Sequence, residues 1–252
     1  MYNILPYQSS YFWVIVGAVI CILADVYVKS TFNKFKSVSS RVGMTGYEVA
    51  YKILKDNDLT YISIERSSGD ALNNYYDPSK QVVRLSDTIY DKATIASAAI
   101  AAHECGHVLQ HERGYLPMRV RAVVLPLAQL GSKMGLPMVI IGLVLGGGYR
   151  YFEAFASRGN MLAAIGSLLI TVGIWVFGIA VAFQVLTLPI EFNASSRGLA
   201  ILKNSEMLKE DELVGGAKIL RAAALTYVAA AASSILQLLR VLAISRGGRR
   251  RR

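Results

Sequence analysis

Charged residues are scarce in this sequence, and histidine and cysteine are scarcer still. Asp, Glu, Lys and Arg together make up 17% of the 252 residues, whereas soluble globular domains have about 25%. Hydrophobic residues make up 54% of the chain, and they gather in long runs. That distribution excludes an ordinary soluble domain and predicts an integral membrane protein that crosses the membrane more than once.

The small number of cysteines excludes a secreted domain held together by disulfides. Cys21 lies in an apolar run, and Cys105 lies between two histidines, so a structural disulfide is not expected. The first ten residues have no basic segment, and the apolar run that follows has no clear small-residue cleavage site. We therefore interpret that first run as a retained membrane anchor and not as a signal peptide.

The net charge of +10 is unevenly distributed, because five arginines fall in the last seven residues. Such a tail beside a membrane helix favours contact with anionic lipid headgroups. Nucleic acid is the other partner that a basic tail can indicate, and we do not expect it here. The predicted partners are membrane lipids together with a peptide or membrane-protein substrate.

The alternation of apolar and polar stretches predicts five regions. The segment 161–189 is the strongest span because it has no charged residue. Before it, Pro126, Lys133 and Pro137 interrupt an apolar stretch, which suggests that 134–148 crosses while 116–133 lies along the interface. The predicted regions are a transmembrane anchor (1–30), a catalytic region (31–115), transmembrane helices (116–189), a helical region with a third ligand (190–221), and a membrane-associated helix with a basic tail (222–252).

The cations beside the first span predict its orientation. Lys29, Lys34, Lys36 and Arg41 follow that span, and no charged residue precedes it, so the positive-inside rule places the following region in the cytoplasm. Two further crossings return the chain to the same side before residue 190. We therefore predict a multi-pass protein of the cell membrane with its active site on the cytoplasmic side. Whether 222–244 crosses, and on which side the basic tail ends, is left open.

The polar region 42–112 has the pattern of a small folded domain of helices and strands. Thr45 with Glu48 three residues later is typical of a capping box at a helix start. The stretches "YISIER" and "KQVVRLS" alternate as strands do, and 71–76 is a third candidate strand. From Asp91 to Gly114 the chain is rich in alanine and contains no helix breaker, so a helix is predicted there.

This helix carries the motif H-E-x-x-H in the stretch "AAHECGHVLQ". His103 and His107 are four residues apart, so both imidazoles project from one face of the helix. In that arrangement both rings can coordinate one Zn²⁺ at about 2.0–2.1 Å. Glu104 lies ~100° around the helix from His103, where it can hold the metal-activated water and take its proton.

A hydrolytic zinc site requires a third protein ligand, and two residues are candidates. His111 continues the stripe of histidines, but two helical turns place it ~12 Å along the axis from His103. Glu191 ends the charge-free span, where a carboxylate needs a partner. We predict Glu191 as the third ligand, with Ser195 on the same face of its helix. Ser195 and Asn193 are predicted to orient the ligands without binding the metal themselves.

Several segments together resemble the YugP-type membrane zinc metallopeptidases. They cover nearly the whole chain and read "MTGYEVAYKIL", "YYDPSKQVVRLSDTIY", "AAHECGHVLQ", "LPIEFNASSRGL" and "AAALTYVAAAASSILQLLR". That family is distantly similar to the gluzincin membrane proteases of the HtpX and CAAX-processing type. The resemblance implies zinc ligands at His103, His107 and Glu191, with Glu104 as the general base. The wider group often has an aspartate four residues after the ligand glutamate, where this chain has Ser195.

The resemblance also implies a fold and a way of binding substrate. We expect a mainly α, multi-pass membrane protein with a small zincin-like α+β catalytic domain whose active-site helix carries the motif. Zincin-like sites often offer an edge strand to an extended peptide, and residues 71–76 or 80–86 are candidates. Tyr76 and Tyr227 are candidates for contact with the substrate edge or for the oxyanion donor that such a reaction needs.

The function predicted from the sequence is a membrane-bound endopeptidase with one Zn²⁺ per chain, which hydrolyses peptide bonds with a metal-activated water. The alternative is a catalytically weak scaffold or regulator that zinc stabilises. A channel or transporter is disfavoured because the charge-free span offers no polar pathway. The physiological substrate, the oligomeric state, including a homo-oligomer, and any regulator are not indicated by the sequence.

Overall fold

The computed structural model describes residues 5–68, 72–147 and 159–249, and this part of the chain is mainly helical. The connection at 148–158, the start of the predicted third strand at Ala71 and the last three arginines of the basic tail lie outside the described residues. The elements in chain order are α1 (Leu5–Phe35), α2 (Gly46–Asp56), β1 (Ser63–Ser67), β2 (Tyr75–Asp77), β3 (Val82–Ser86), α3 (Asp87–Tyr90), α4 (Ile95–Glu112), α5 (Leu116–Gly147), α6 (Gly159–Asn204) and α7 (Glu210–Arg249).

The chain divides into two compact units. The first, here called the helical unit, comprises Met1–Ile22, Val120–Leu186 and Val228–Arg252. The second, here called the mixed unit, comprises Leu23–Arg119 and Thr187–Tyr227 and contains all three strands. The predicted motif helix and the predicted third ligand therefore fall in the same unit.

Four helices among the described residues are long and apolar enough to cross a membrane. They are Tyr11–Phe35, Leu116–Leu145, Ala164–Asn204 and Glu210–Ser245. The 46 residues of α6 have a length of about 69 Å, more than twice the ~30 Å of a hydrocarbon core. One end of α6 must therefore extend beyond the hydrocarbon.

The structure bears on two points about the membrane segments. The helix α5 continues through Pro126 and Pro137, so no break in the helix separates the predicted interfacial part 116–133 from the predicted crossing part 134–148. Apolar helices tolerate proline because neighbouring groups satisfy the carbonyl that it leaves free. The segment 222–244, whose crossing the sequence left open, lies within the fourth candidate span.

Within the helical unit, α7 runs antiparallel to α1. The guanidinium of Arg240 lies over the ring of Tyr11 at 4.8 Å. Further along the pair, Gly17 lies against Ser233 and the Cys21 thiol donates to the carbonyl of Ala229. As the position on α1 rises, the partner position on α7 falls, which is the pattern of two helices that run in opposite directions.

The mixed unit contains a three-stranded sheet in the order β1-β3-β2. β1 pairs with β3 in parallel, and β2 pairs with β3 antiparallel, with Tyr76 opposite Val83. Because β3 is paired on both sides, residues 80–86 cannot accept an added strand. β1 and β2 are the two edge strands. β2 (Tyr75–Asp77) is shorter than the predicted 71–76, with which it shares only Tyr75 and Tyr76.

Two helices pack the core of the mixed unit. The predicted capping box is confirmed, since Thr45 and Glu48 make both of its reciprocal hydrogen bonds at the start of α2. Helix α4 begins at Ile95 after a Thr94 cap, four residues later than the predicted start at Asp91. Nearly all of α4 is buried, from Ile95 to Gln110, so its polar residues lie where they need partners.

Candidate metal centre

The two histidines of the motif face each other on α4. Their ring centroids are 4.7 Å apart, as expected for residues four positions apart on one helical face. The Nε2 atoms of both rings point to the same carboxylate oxygen, Oε2 of Glu191, at 3.4 Å from His103 and 3.5 Å from His107. The structure thus brings together the three residues that the sequence predicted as ligands.

A close crossing of α4 and α6 places Glu191 beside the histidines. A Cβ atom added to Gly106 would lie 2.5 Å from the carbonyl oxygen of Ala194. A Cβ atom on Gly198 would lie 2.8 Å from the carbonyl oxygen of Ala102. Each helix therefore contributes one glycine at which the other backbone approaches, and a larger residue at either position would force the helices apart.

The geometry and the burial of the three side chains fit a zinc ion. Their ligand atoms lie within 4.8 Å of one another, and two ligands about 2.05 Å from one tetrahedral ion would be about 3.3 Å apart. Glu191 is only 3% exposed, and its Oε2 atom is buried without a hydrogen-bond partner. An unsatisfied buried carboxylate oxygen is unfavourable, and a cation between it and two imidazoles would satisfy it.

Glu104 lies between the two histidines on the same helix and is 6% exposed. Burial raises the pKa of its carboxyl group, and the neighbouring His103 and His107 oppose that shift, as does, to a smaller extent, a hydrogen bond from the backbone N–H of Tyr76. Since Tyr76 belongs to β2, this bond places the carboxylate beside one of the two edge strands of the sheet. A buried carboxylate beside a metal site and a strand edge is suited to proton transfer at a bound peptide.

Ser195 and Asn193, which were predicted to orient the metal ligands, contact the two histidines in different ways. Ser195 Oγ is 3.1 Å from Nδ1 of His103, so it contacts a ligand directly. Asn193 reaches a ligand only indirectly, through Gln110. Its Oδ1 accepts a hydrogen bond from Gln110, whose Oε1 is 3.0 Å from Nδ1 of His107. Both histidines therefore have a polar partner on the nitrogen that faces away from Glu191.

His111 lies apart from this group, as the length of two helical turns predicts. Its side chain is 46% exposed and its Nδ1 lies 3.0 Å from Glu112. The Tyr76 hydroxyl is 3.4 Å from the same nitrogen, and burial raises the pKa of Tyr76 to about 12. The Tyr76 phenol therefore stays protonated at neutral pH. The other tyrosine that the sequence indicated, Tyr227, lies on α7 and is 41% exposed.

Sequence reasoning missed Gln110 and the two glycines at the helix crossing. Gln110 follows His107 by three residues, which places both on one helical face, and that spacing could have indicated a contact. Gly106 and Gly198 had no local signal, because a glycine inside a helix reveals a close approach only when the opposing backbone is known.

Comparison with known proteins agrees with this chemistry. A family model described as "Putative neutral zinc metallopeptidase" matches residues 10–246. The chain is also 38% identical over 226 residues to a protein of Bacillus subtilis (strain 168) described as "Putative membrane protease YugP". That match covers 90% of this chain and 92% of the Bacillus protein. No solved structure matches the chain.

Proposed function

Since this chain belongs to the family of neutral zinc metallopeptidases, we propose that it is a membrane-bound zinc endopeptidase that cleaves membrane or membrane-proximal proteins. The observation that carries the proposal is the convergence of His103, His107 and Glu191 on one point beside the buried carboxylate of Glu104. Four candidate membrane spans support the assignment to a membrane.

His103, His107 and Glu191 would hold one zinc ion per chain through two Nε2 atoms and a carboxylate oxygen. Three protein ligands leave a fourth position for water or substrate, as in catalytic zinc sites. When bound, the ion acts as a Lewis acid that polarises the scissile carbonyl and lowers the pKa of the attacking water.

Glu104 acts as the general base. Its carboxylate takes a proton from the attacking water and then delivers it to the nitrogen of the leaving amine. The hydrogen bond from the Tyr76 backbone orients the carboxylate before the substrate arrives. The Tyr76 hydroxyl is the leading candidate for donating a hydrogen bond to the developing oxyanion, because it remains protonated and lies 3.4 Å from Nδ1 of His111, which is one helical turn from His107.

The substrate binds as an extended strand along β2. This strand lies at the edge of the sheet, and its main chain contacts Glu104 through Tyr76. Addition of a strand to an exposed edge supplies main-chain hydrogen bonds regardless of sequence. It would also present a peptide bond to Glu104.

Removal and return of zinc tests the proposed function. Purified protein in detergent should cleave an unfolded reporter such as casein, lose that activity on treatment with 1,10-phenanthroline, and regain it with one equivalent of Zn²⁺ per chain but not with Mg²⁺. Cleavage by the metal-free protein would overturn the proposal. If zinc raises the melting temperature without any cleavage, the scaffold function is correct instead.

We place the active site on the cytoplasmic side, because Lys34, Lys36 and Arg41 follow the apolar part of α1 and cations flank membrane spans mainly on that side. Lys80 is exposed in the turn before β3, so Lys80→Cys should react with a membrane-impermeant maleimide only after the cells are permeabilised. Ser157→Cys, in the connection between α5 and α6, is the matched control and should react in intact cells. The reverse labelling pattern would place the active site outside.

A further inference from the structure

Gln110 is a fully buried polar residue next to the metal centre, and the proposed reaction does not use it. Its side chain is 0% exposed, so its amide loses all contact with water. Burying an amide is unfavourable unless both its donor and its acceptor groups find partners. The partners of Gln110 therefore determine how its amide is oriented.

The amide of Gln110 connects α4 to α6. Its Nε2 donates to the carbonyl oxygen of Ile190 at 2.8 Å and to Oδ1 of Asn193 at 3.0 Å. Two acceptors use both N–H groups of the amide. The remaining atom, Oε1, lies 3.0 Å from Nδ1 of His107.

Arg197, which contacts Asn193, shows which atoms donate and which accept in these hydrogen bonds. Nε of Arg197 is 2.7 Å from Oδ1 of Asn193, and a guanidinium can only donate. Asn193 therefore presents its oxygen, so Gln110 must turn its NH₂ group to Asn193 and its oxygen to His107. Oε1 can only accept and lies 3.0 Å from Nδ1, whereas the Glu191 carboxylate lies 3.5 Å from Nε2 and makes no hydrogen bond there. The closer acceptor holds the proton of a neutral His107 on Nδ1.

This order of donors has a consequence for the metal ligand. With the proton on Nδ1, the lone pair of His107 is on Nε2, which is the atom that faces Glu191 at 3.5 Å. His103 differs, because its Nδ1 contacts the hydroxyl of Ser195 at 3.1 Å. A hydroxyl can donate or accept, so that contact allows either tautomer.

We propose that Arg197, Asn193 and Gln110 form a one-way hydrogen-bond chain that holds His107 in the tautomer able to bind metal, with Gln110 as the positioning residue. The chain acts through His107 and touches neither substrate nor the reacting atoms. Its effect on metal affinity rests on the proposed zinc site, whereas its effect on the tautomer is a property of the metal-free protein.

The tautomer is measured directly by ¹⁵N NMR of metal-free protein labelled at histidine, at a pH where the imidazoles are neutral. Wild-type His107 should show a proton on Nδ1 alone. In Gln110→Met, which keeps the length of the side chain but makes no such bond, both tautomers of His107 should be present. His103 should give the same signals in both proteins, which separates a local effect from a general change in fold.

Zinc affinity, measured by competition with a chromophoric chelator, supplies the second readout. Gln110→Met should bind Zn²⁺ about 10- to 100-fold more weakly, as is usual when the partner of a ligating histidine is removed. Ser97→Ala is the matched control. Ser97 is also buried on α4, and its hydroxyl hydrogen-bonds to Thr94, far from the ligands, so wild-type affinity is expected.

A second variant, changed at Arg197, tests the proposal even if Gln110→Met does not fold. Arg197 is only partly buried, and Arg197→Met should free the Asn193 amide to rotate. The Ile190 carbonyl then remains as the acceptor that orients the Gln110 amide, so the second tautomer of His107 should appear, at a lower fraction than in Gln110→Met. Arg197→Lys keeps a group that only donates and should restore the single tautomer. If His107 retains its Nδ1 proton in both Gln110→Met and Arg197→Met, the proposal is wrong. If wild-type protein binds no zinc, the proposed function fails, and the tautomer measurement still decides this inference.

Discussion

Glu104→Gln should leave the protein folded and loaded with zinc while slowing peptide hydrolysis by about 100- to 10,000-fold, the usual contribution of a general base. Glutamine has the shape of glutamate but cannot take a proton from water. The substitution also spares the three ligand atoms of His103, His107 and Glu191. The measurement is the rate of reporter cleavage, together with the zinc content and the melting temperature of the same preparation.

A matched control for this variant is Glu112→Gln on the same helix. Glu112 contacts Tyr61 and His111 at the exposed end of α4, so its loss should leave the rate of hydrolysis within a few-fold of wild type. A proteomic comparison of membrane fractions from cells with wild type and Glu104→Gln would then identify the substrates, as proteins that accumulate in the variant. Full activity of Glu104→Gln would refute the role of this residue as the base.

The second large effect is expected for Glu191→Ala, which should bind zinc at least about 100-fold more weakly than wild type. Removing a residue that only supports a ligand already lowers metal affinity about 10- to 100-fold, and Glu191 is itself a proposed ligand. Its loss would also leave His103 and His107 as the only protein ligands, too few for a catalytic zinc site. The measurement is the number of zinc ions per chain after equilibration with a limiting chelator.

His111→Ala provides the control for the ligand assignment. It removes the third histidine of the stripe, which is 46% exposed and hydrogen-bonded to Glu112 instead of to the metal centre, so zinc content should equal that of wild type. The assignment would be wrong if Glu191→Ala kept its zinc while His111→Ala lost it.

The sequence by itself determined those features that depend on neighbouring residues. The scarcity of charge and the long apolar runs predicted a helical membrane protein. The pair Thr45 and Glu48 predicted the capping box at α2, because a helix start is a local event. The spacing of His103 and His107 predicted their common face, since a helix repeats every 3.6 residues. Glu191 was accessible to the same reasoning because a carboxylate at the end of a charge-free span needs a partner.

Only the tertiary structure decided which distant segments meet and how closely. The sheet order placed β3 in the centre and β1 and β2 at the two edges, which left β2 and excluded 80–86 among the two segments considered for substrate binding. The continuity of α5 through two prolines and the antiparallel pairing of α7 with α1 depend on the helices around them. Gly106, Gly198 and Gln110 derive their importance from backbone and side chains roughly 80 to 100 residues away in sequence. Local periodicity reports which face of an element is apolar or polar, but not which partner that face will contact. For this reason the ligands of the metal centre could be found in the sequence, whereas the helix crossing and the hydrogen bonds that hold them in place could not.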